Sequence, residues 1–137
     1  MDQPPYRQLS LIVLVAAGGM VGTAGRYALA HAITPAGGWP LATLTANLCG
    51  AFALGWLLEA LARHAVQGPR ELRLRLALGT GVLGGFTTFS SLAIEVERLI
   101  AQGRLGVAVA YTAVSLVAGV ALCLAGVALA ARHRSVS

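Results

Sequence analysis

The chain has 137 residues, of which 57% are hydrophobic and 11% charged, with ten arginines, no lysine and a net charge of +5. Soluble domains are about 25% charged, so this composition belongs in a membrane, and the length allows one domain. The positive balance does not point to nucleic acid, because the charges sit between apolar runs and form no patch interleaved with aromatics.

Residues 1–8 are a short polar leader. Leu9 to Gly25 is then 17 residues without a charge. More membrane sequence follows it, so it reads as a retained span and not a cleaved signal. Gly18, Gly19 and Gly22 make one face of this helix small, suited to close helix contact. Arg26 and Tyr27 end the uncharged part. Arg26 is either an arginine snorkelling to the interface or a member of a water-filled vestibule. Residues Thr34 to Pro40 read as a turn, with Trp39 as an interfacial anchor. Leu41 to Leu58 is a second uncharged run of 18 residues. On it Thr43 and Asn47 are four apart and share a face. The Asn47 amide needs partners, from a neighbouring helix or along a polar pathway. Glu59 and Arg63 are spaced to pair at the helix end. Cys49 and Cys123 lie inside apolar runs and are expected to be buried, reduced thiols.

His64 to Arg75 reads as a charged loop, and Leu76 to Ile94 is the third uncharged run, of 19 residues. Its centre, Gly79 to Ser91, is poor helix material. Gly79, Gly81, Gly84 and Gly85 raise the cost of helix, and Thr87, Thr88, Ser90 and Ser91 can bond their own backbone. Non-helical backbone at membrane depth is tolerated only when buried in protein or facing a polar site, and the ends of a broken helix bind ions. The simpler reading is a packing surface, with Gly81 and Gly85 as a small-xxx-small contact. Glu95, Glu97 and Arg98 follow the run, and Gln102-Gly103-Arg104 makes a tight connection. Leu105 to Ala131 is the fourth run, of 27 residues, with Tyr111 and Ser115 on one face. The expected fold is an all-α membrane protein, residues 1–137 forming one domain. Its four transmembrane helices cover about 9–31, 41–62, 73–98 and 105–131, the third broken near its centre. The glycine stretch lacks the lysine and the strand–turn–helix setting of a phosphate loop, and no nucleophile–base set assembles in the spans, so no enzyme is expected. Within the spans the polar side chains are hydroxyls, one amide and one arginine. No carboxylate lies between Leu9 and Leu58 or between Leu76 and Ile94, which favours an anion over a cation or proton.

Three segments carry a resemblance. Gly18-Gly19-Met20-Val21-Gly22-Thr23-Ala24-Gly25-Arg26-Tyr27 is similar to the first-helix motif of the CrcB (Fluc) fluoride channels. Ala42-Thr43-Leu44-Thr45-Ala46-Asn47-Leu48-Cys49-Gly50 is similar to their second-helix pattern. Gly81-Val82-Leu83-Gly84-Gly85-Phe86-Thr87-Thr88-Phe89-Ser90-Ser91 resembles their helix break. The motifs come in family order over nearly the whole chain. The resemblance implies a channel in the cell (inner) membrane that exports cytoplasmic fluoride down its gradient and so limits toxicity. It implies a dual-topology, antiparallel dimer with two narrow pores and a central structural sodium ion that is not transported. Backbone carbonyls of Gly84 and Thr87 from both subunits would hold the sodium. Phe89 would offer its ring edge to fluoride, and Asn47 its amide. Thr88, Tyr111 and Ser115 would continue a polar track, with Arg26 in the vestibule region and Glu95 as a vestibule acid. Leu92 stands where many members carry a second phenylalanine, Ala42 replaces a glycine, Ala46 replaces the usual valine, and Gly119 offers no hydroxyl to extend the track.

Elementary chemistry is consistent with that implication. Fluoride is small and strongly hydrated, so a pore must replace its water with donors, which amides, hydroxyls and the positive edge of an aromatic ring can supply. A small four-helix multidrug or cation transporter would need a carboxylate in the first span, and none is there. A non-transporting membrane subunit would leave Asn47 and the glycine break without a purpose. With four spans, Arg7, Arg63, Arg70, Arg73, Arg75, Arg132 and Arg134 fall on one side, and Arg98 and Arg104 on the other. Arginines near span ends favour the cytoplasm. The expectation is therefore termini inside, in a homodimer whose bias is overridden or in a heterodimer with an oppositely oriented paralogue.

Overall fold

In lipid, an apolar run of about 20 residues can satisfy its backbone only by coiling into helix or closing a barrel. The computed structural model describes residues 8–34, 37–62 and 68–132, and every regular element in them is helical. Helix α1 runs Leu9–Ala32 and α2 Leu41–Ala62. The third span is built in pieces: α3 (Pro69–Leu74), a wide π-helical segment (Arg75–Leu83), a single turn α4 (Gly84–Phe86), and α5 (Phe89–Ala101). Helix α6 runs Leu105–Arg132. Leu9–Ala32, Leu41–Ala62, Pro69–Ala101 and Leu105–Arg132 are each long and apolar enough to cross a membrane.

The third span is longer than the sequence suggests. Pro69 opens it at the first helical position, where a missing N–H costs nothing, and Glu71 sits in the first turn. Arg70, Glu71, Arg73 and Arg75 therefore ride on helix and not in a loop. The expected Glu59–Arg63 pair falls on Arg63, which lies outside the described residues, as do Arg7, Arg134 and the Pro35-Ala36 part of the turn.

The glycine stretch turns out to be both a packing surface and a break, at different residues. In the π segment the ladder widens, and the Gly84 N–H reaches back to the Gly79 carbonyl, five residues away, and to that of Gly81. Here the chain lies directly on α1. A Cβ on Gly22 would strike the Val82 carbonyl oxygen and come within 2.8 Å of the Phe86 nitrogen, and one on Gly85 would strike the Gly19 carbonyl. Gly18 and Gly81 meet in the same seam. The helix itself stops only at Thr87 and Thr88, whose φ/ψ of −80°/157° and −153°/121° are extended. Thr88 lies 13 residues before Ala101, which puts the break about 20 Å from that end of the span, at membrane depth.

Helix partners change at the break. The π segment and α4 lie on α1, whereas α5 packs on α6, and α6 also runs along α2. The α2–α6 crossing is close enough that a Cβ on Gly126 would meet the Phe52 carbonyl. Leu92, Leu99, Ala108 and Tyr111 form the buried core between α5 and α6, with Trp39, Leu44 and Val96 against it. Trp39 also makes an inward contact. It is half-buried and stands edge-on to Tyr111, with ring centroids 6.2 Å apart. The two cysteines are also not both buried. Cys49 is exposed and Cys123 half-buried, because only 11–17% of each apolar window is enclosed by this chain itself.

The seam between α1 and the third span predicts a sharp contrast between glycines. Gly22→Ala forces backbone apart and should cost about 1–3 kcal/mol, as overpacking does. Gly106→Ala meets nothing within 4 Å and should be neutral or stabilising by up to about 1 kcal/mol through helix propensity. Thermal unfolding in detergent, comparing the two variants with the parent, checks this.

Candidate functional site

Ending a helix inside a membrane frees backbone groups that must find partners. On the first flank of the break, the Thr87 N–H and hydroxyl both donate to the Leu83 carbonyl, each at 2.9 Å. The Gly85 carbonyl receives the Thr23 hydroxyl at 3.4 Å and Arg26 Nε at 3.3 Å, both from α1. Arg26 therefore turns its Nε inward to the break. On the second flank, the Thr88 N–H donates to Asn47 Oδ1 at 2.8 Å instead of to the carbonyl of Gly84, four residues back. Asn47 Nδ2 donates in return to the Thr88 carbonyl at 3.0 Å. The amide stands in for a neighbouring strand, pairing both polar groups of one extended residue. Thr88 then caps α5, its hydroxyl accepting from the Ser91 N–H at 3.2 Å and donating to Ser91 Oγ.

A concavity of about 370 Å³ opens at the break between α2, the third span and α6. Asn47, Gly84, Thr87, Thr88, Phe89 and Ser115 line it. Phe89, the first residue of α5, is 78% exposed at its rim, and it is the only aromatic side chain among the described lining residues. Leu92 lies in the wall and is buried in the α5–α6 core. Ser115 is buried and its hydroxyl already donates to the Tyr111 carbonyl at 2.7 Å, so its hydrogen is committed to the backbone.

Six residues before the end of α5, and so about 9 Å inside the helix, sits Glu95. Its carboxylate accepts the Thr43 hydroxyl at 2.7 Å and the Tyr111 hydroxyl at 2.6 Å, short bonds typical of a charged acceptor. Glu95 follows directly on the uncharged run Leu76 to Ile94. The helix continues through it, so the third span does contain a half-buried carboxylate. Glu95 borders a second cavity of about 280 Å³ that also meets Arg26, Thr43 and Ser91. It borders a third, of about 410 Å³, toward the α1–α2 and α5–α6 connections. Ser91, hydrogen-bonded to Thr88, links the Glu95 end to the break.

The structure thus gathers the residues singled out from sequence into two neighbouring groups. Asn47, Gly84, Thr87, Thr88, Phe89 and Ser115 surround the break, Arg26 and Glu95 share the next cavity, and Tyr111 joins through its bond to Glu95. Thr23, Thr43 and Ser91 were not singled out as site residues. Two of them were detectable by helical spacing, since Thr23 is three residues from Arg26 and Thr43 four from Asn47. The assembly is rich in hydroxyl and amide groups and holds one guanidinium, suited to exchanging the hydration shell of a small ion for fixed donors.

Comparison with known proteins gives a consistent set of relatives. The family described as CrcB-like protein, Camphor Resistance (CrcB), matches residues 13–127. A protein of Leifsonia xyli subsp. xyli named fluoride-specific ion channel FluC 2 is 42% identical over 120 residues, covering 88% of this chain and 83% of its own. Proteins named fluoride-specific ion channel FluC from Rhodospirillum centenum and Prosthecochloris aestuarii are 43% and 42% identical. They cover 88% and 90% of this chain and 95% and 94% of their own lengths.

The Asn47 clasp carries a prediction of its own. Asn47→Ala leaves the Thr88 N–H and carbonyl unpaired, at a cost of about 1–3 kcal/mol for each unsatisfied group. Asn47→Asp keeps the acceptor but sets a carboxylate against the Thr88 carbonyl, so it should also be less stable than the parent. Both should unfold several degrees lower in detergent, and a parental melting temperature for Asn47→Ala would show that the clasp contributes nothing.

Proposed function

This chain belongs to the CrcB family, and on that footing we infer that it is a fluoride-specific ion channel of the membrane, a transporter and not an enzyme. The observation that carries this reading furthest is the bond pattern at Thr87–Thr88, where the third span opens at membrane depth and Asn47 holds the opening. Asn47 has a second amide hydrogen beyond the one given to Thr88 and lines the 370 Å³ concavity, where it can face an ion. Phe89 at the rim offers a ring edge, the positive part of its quadrupole. Arg26 and Ser91 can donate to an anion in the neighbouring cavity, where the Glu95 carboxylate accepts the Thr43 and Tyr111 hydroxyls. Selection of fluoride over larger halides then rests on pore width and donor number.

The channel works as an antiparallel dimer in this reading. Support comes from the exposure of Phe89 and from a concavity open on one side, which a second chain would close. The carbonyls of Gly84 and Thr87 would face each other across that dimer and hold a sodium ion. The donor set fits: hard backbone oxygens at the end of a half-helix suit an alkali cation. Gly84 has lost its helical partner to Asn47, and nothing crowds its Cβ position within 3.8 Å. A bound sodium would offset the partial negative charge at the end of α4.

Protein purified in its native pairing, as a homodimer or with its partner chain, tests the reading in liposomes. Fluoride should escape without chloride, and Phe89→Ile should cut fluoride release at least about tenfold while the oligomer stays intact, a loss of roughly 1.4 kcal/mol or more in barrier terms. Equal release of both halides would sink the channel assignment, and proton-coupled uptake of a cationic dye would favour the multidrug alternative. Replacing sodium with a large organic cation during purification should lower oligomer stability. No dependence on sodium would remove the central ion.

Orientation is a separate question. Among the described residues Arg70, Arg73, Arg75 and Arg132 fall at one end of the spans and Arg98 and Arg104 at the other, the same direction of bias as in the full count. The chain therefore prefers its termini in the cytoplasm and pairs with an oppositely biased chain. Reporters active on one side of the membrane, fused to the C-terminus, should give a one-sided signal. Equal signals, together with fluoride flux from the single purified chain, would establish the homodimer instead.

A further inference from the structure

Two arginines close the end of the molecule nearest Glu95, and they are used differently. Arg104 is committed: its guanidinium donates to the Gly37 carbonyl at 3.0 Å and to that of Gly38 at 3.2 Å. Gly37 and Gly38 have φ of 62° and 75°, backbone that side chains rarely adopt, so the turn that presents these carbonyls depends on glycine. The next residue, Trp39, stands on Tyr111, whose hydroxyl reaches Glu95. Arg98 is uncommitted. It is exposed, one turn of α5 beyond Glu95, and its side chain has no hydrogen-bond or ion-pair partner among the described residues. Both arginines line the 410 Å³ cavity whose inner wall is Glu95.

We propose that this cavity is a mouth of the anion pathway, with Arg98 as its recruiting charge and Arg104 as the residue that holds its rim; this rests on the channel reading above. An anion approaching from water meets the free guanidinium first. Glu95 would repel it, but Arg98 and Arg104 on the same cavity outnumber that one negative charge. A cleft lined by net charge of one sign raises the local concentration of the opposite ion, and the effect fades with salt. Glu97, exposed on α5, does not line the cavity. Arg104 acts through the turn: its planar fork spans two carbonyls, which the single ammonium of a lysine cannot reproduce.

Fluoride efflux from liposomes at two ionic strengths separates these roles. At roughly 0.01 M salt, where charges act over about 30 Å, Arg98→Gln should release fluoride about threefold more slowly than the parent, and at roughly 1 M salt the difference should vanish. Arg98→Lys should behave as the parent at both. Arg104→Lys keeps the charge and loses the fork, so its flux should fall by a similar factor at both salt concentrations. Arg98→Gln indistinguishable from the parent at low salt, or equally impaired at high salt, overturns the recruiting role. Parental flux in Arg104→Lys overturns the rim. A parent protein that passes no fluoride either alone or together with an oppositely oriented partner chain refutes the channel reading itself, a result distinct from failure of either variant.

Discussion

A backbone that leaves its helix in the middle of a membrane must be paired by something else, and the architecture follows from how that is done. Two extended residues, Thr87 and Thr88, release N–H and carbonyl groups where water is scarce. The Asn47 amide takes both groups of Thr88, and Thr23 and Arg26 take the Gly85 carbonyl. The break is therefore held from α2 on one flank and α1 on the other. Those contacts fix how closely α1 and α2 approach the third span, and the glycine seam at Gly18, Gly19 and Gly22 is what permits the approach. On the α1 flank, polar pairing at Gly85 and small-residue packing lie in the same seam.

The four spans were legible because apolar run length is a direct measure of membrane thickness. Asn47 was legible for the same kind of reason: an amide inside a span is costly unless bonded, so its presence announces a partner. The ends of the third span were less so. Arg70 to Arg75 look like loop by hydropathy, yet Pro69 starts a helix that carries through them, and Glu95 near the other end is held by the Thr43 and Tyr111 hydroxyls. The site of the break was only roughly legible. Glycine content marks Gly79 to Gly85 as the weak stretch, but close contact with α1 keeps that stretch helical, in widened form. The chain parts instead at two threonines with hydroxyls to bond and an amide waiting opposite.

The bonding of Glu95 and the burial of Trp39 were not legible at all. Both depend on which faces of α2, α5 and α6 meet, and although α5 is amphipathic, α2 and α6 are apolar nearly all round and give little periodic signal to say so. Once the helices are placed, the grouping makes sense. Tyr111 is fully buried and needs an acceptor, Glu95 needs donors, and Thr43 supplies a second one from α2. Trp39 covers the open side of that cluster.

The clasp between Asn47 and Thr88 also bears on how the protein is made. The two residues are 41 positions apart, and Asn47 comes first. A ribosome therefore delivers the amide to the bilayer before it delivers the backbone that the amide must pair. When the third span enters, its unpaired groups have a partner already lodged in the second, and α1 with Arg26 is older still. Were the order of the helices reversed, the break would have to wait in lipid with its polar groups bare. Chain order thus places the partners of the break in the bilayer before the break itself.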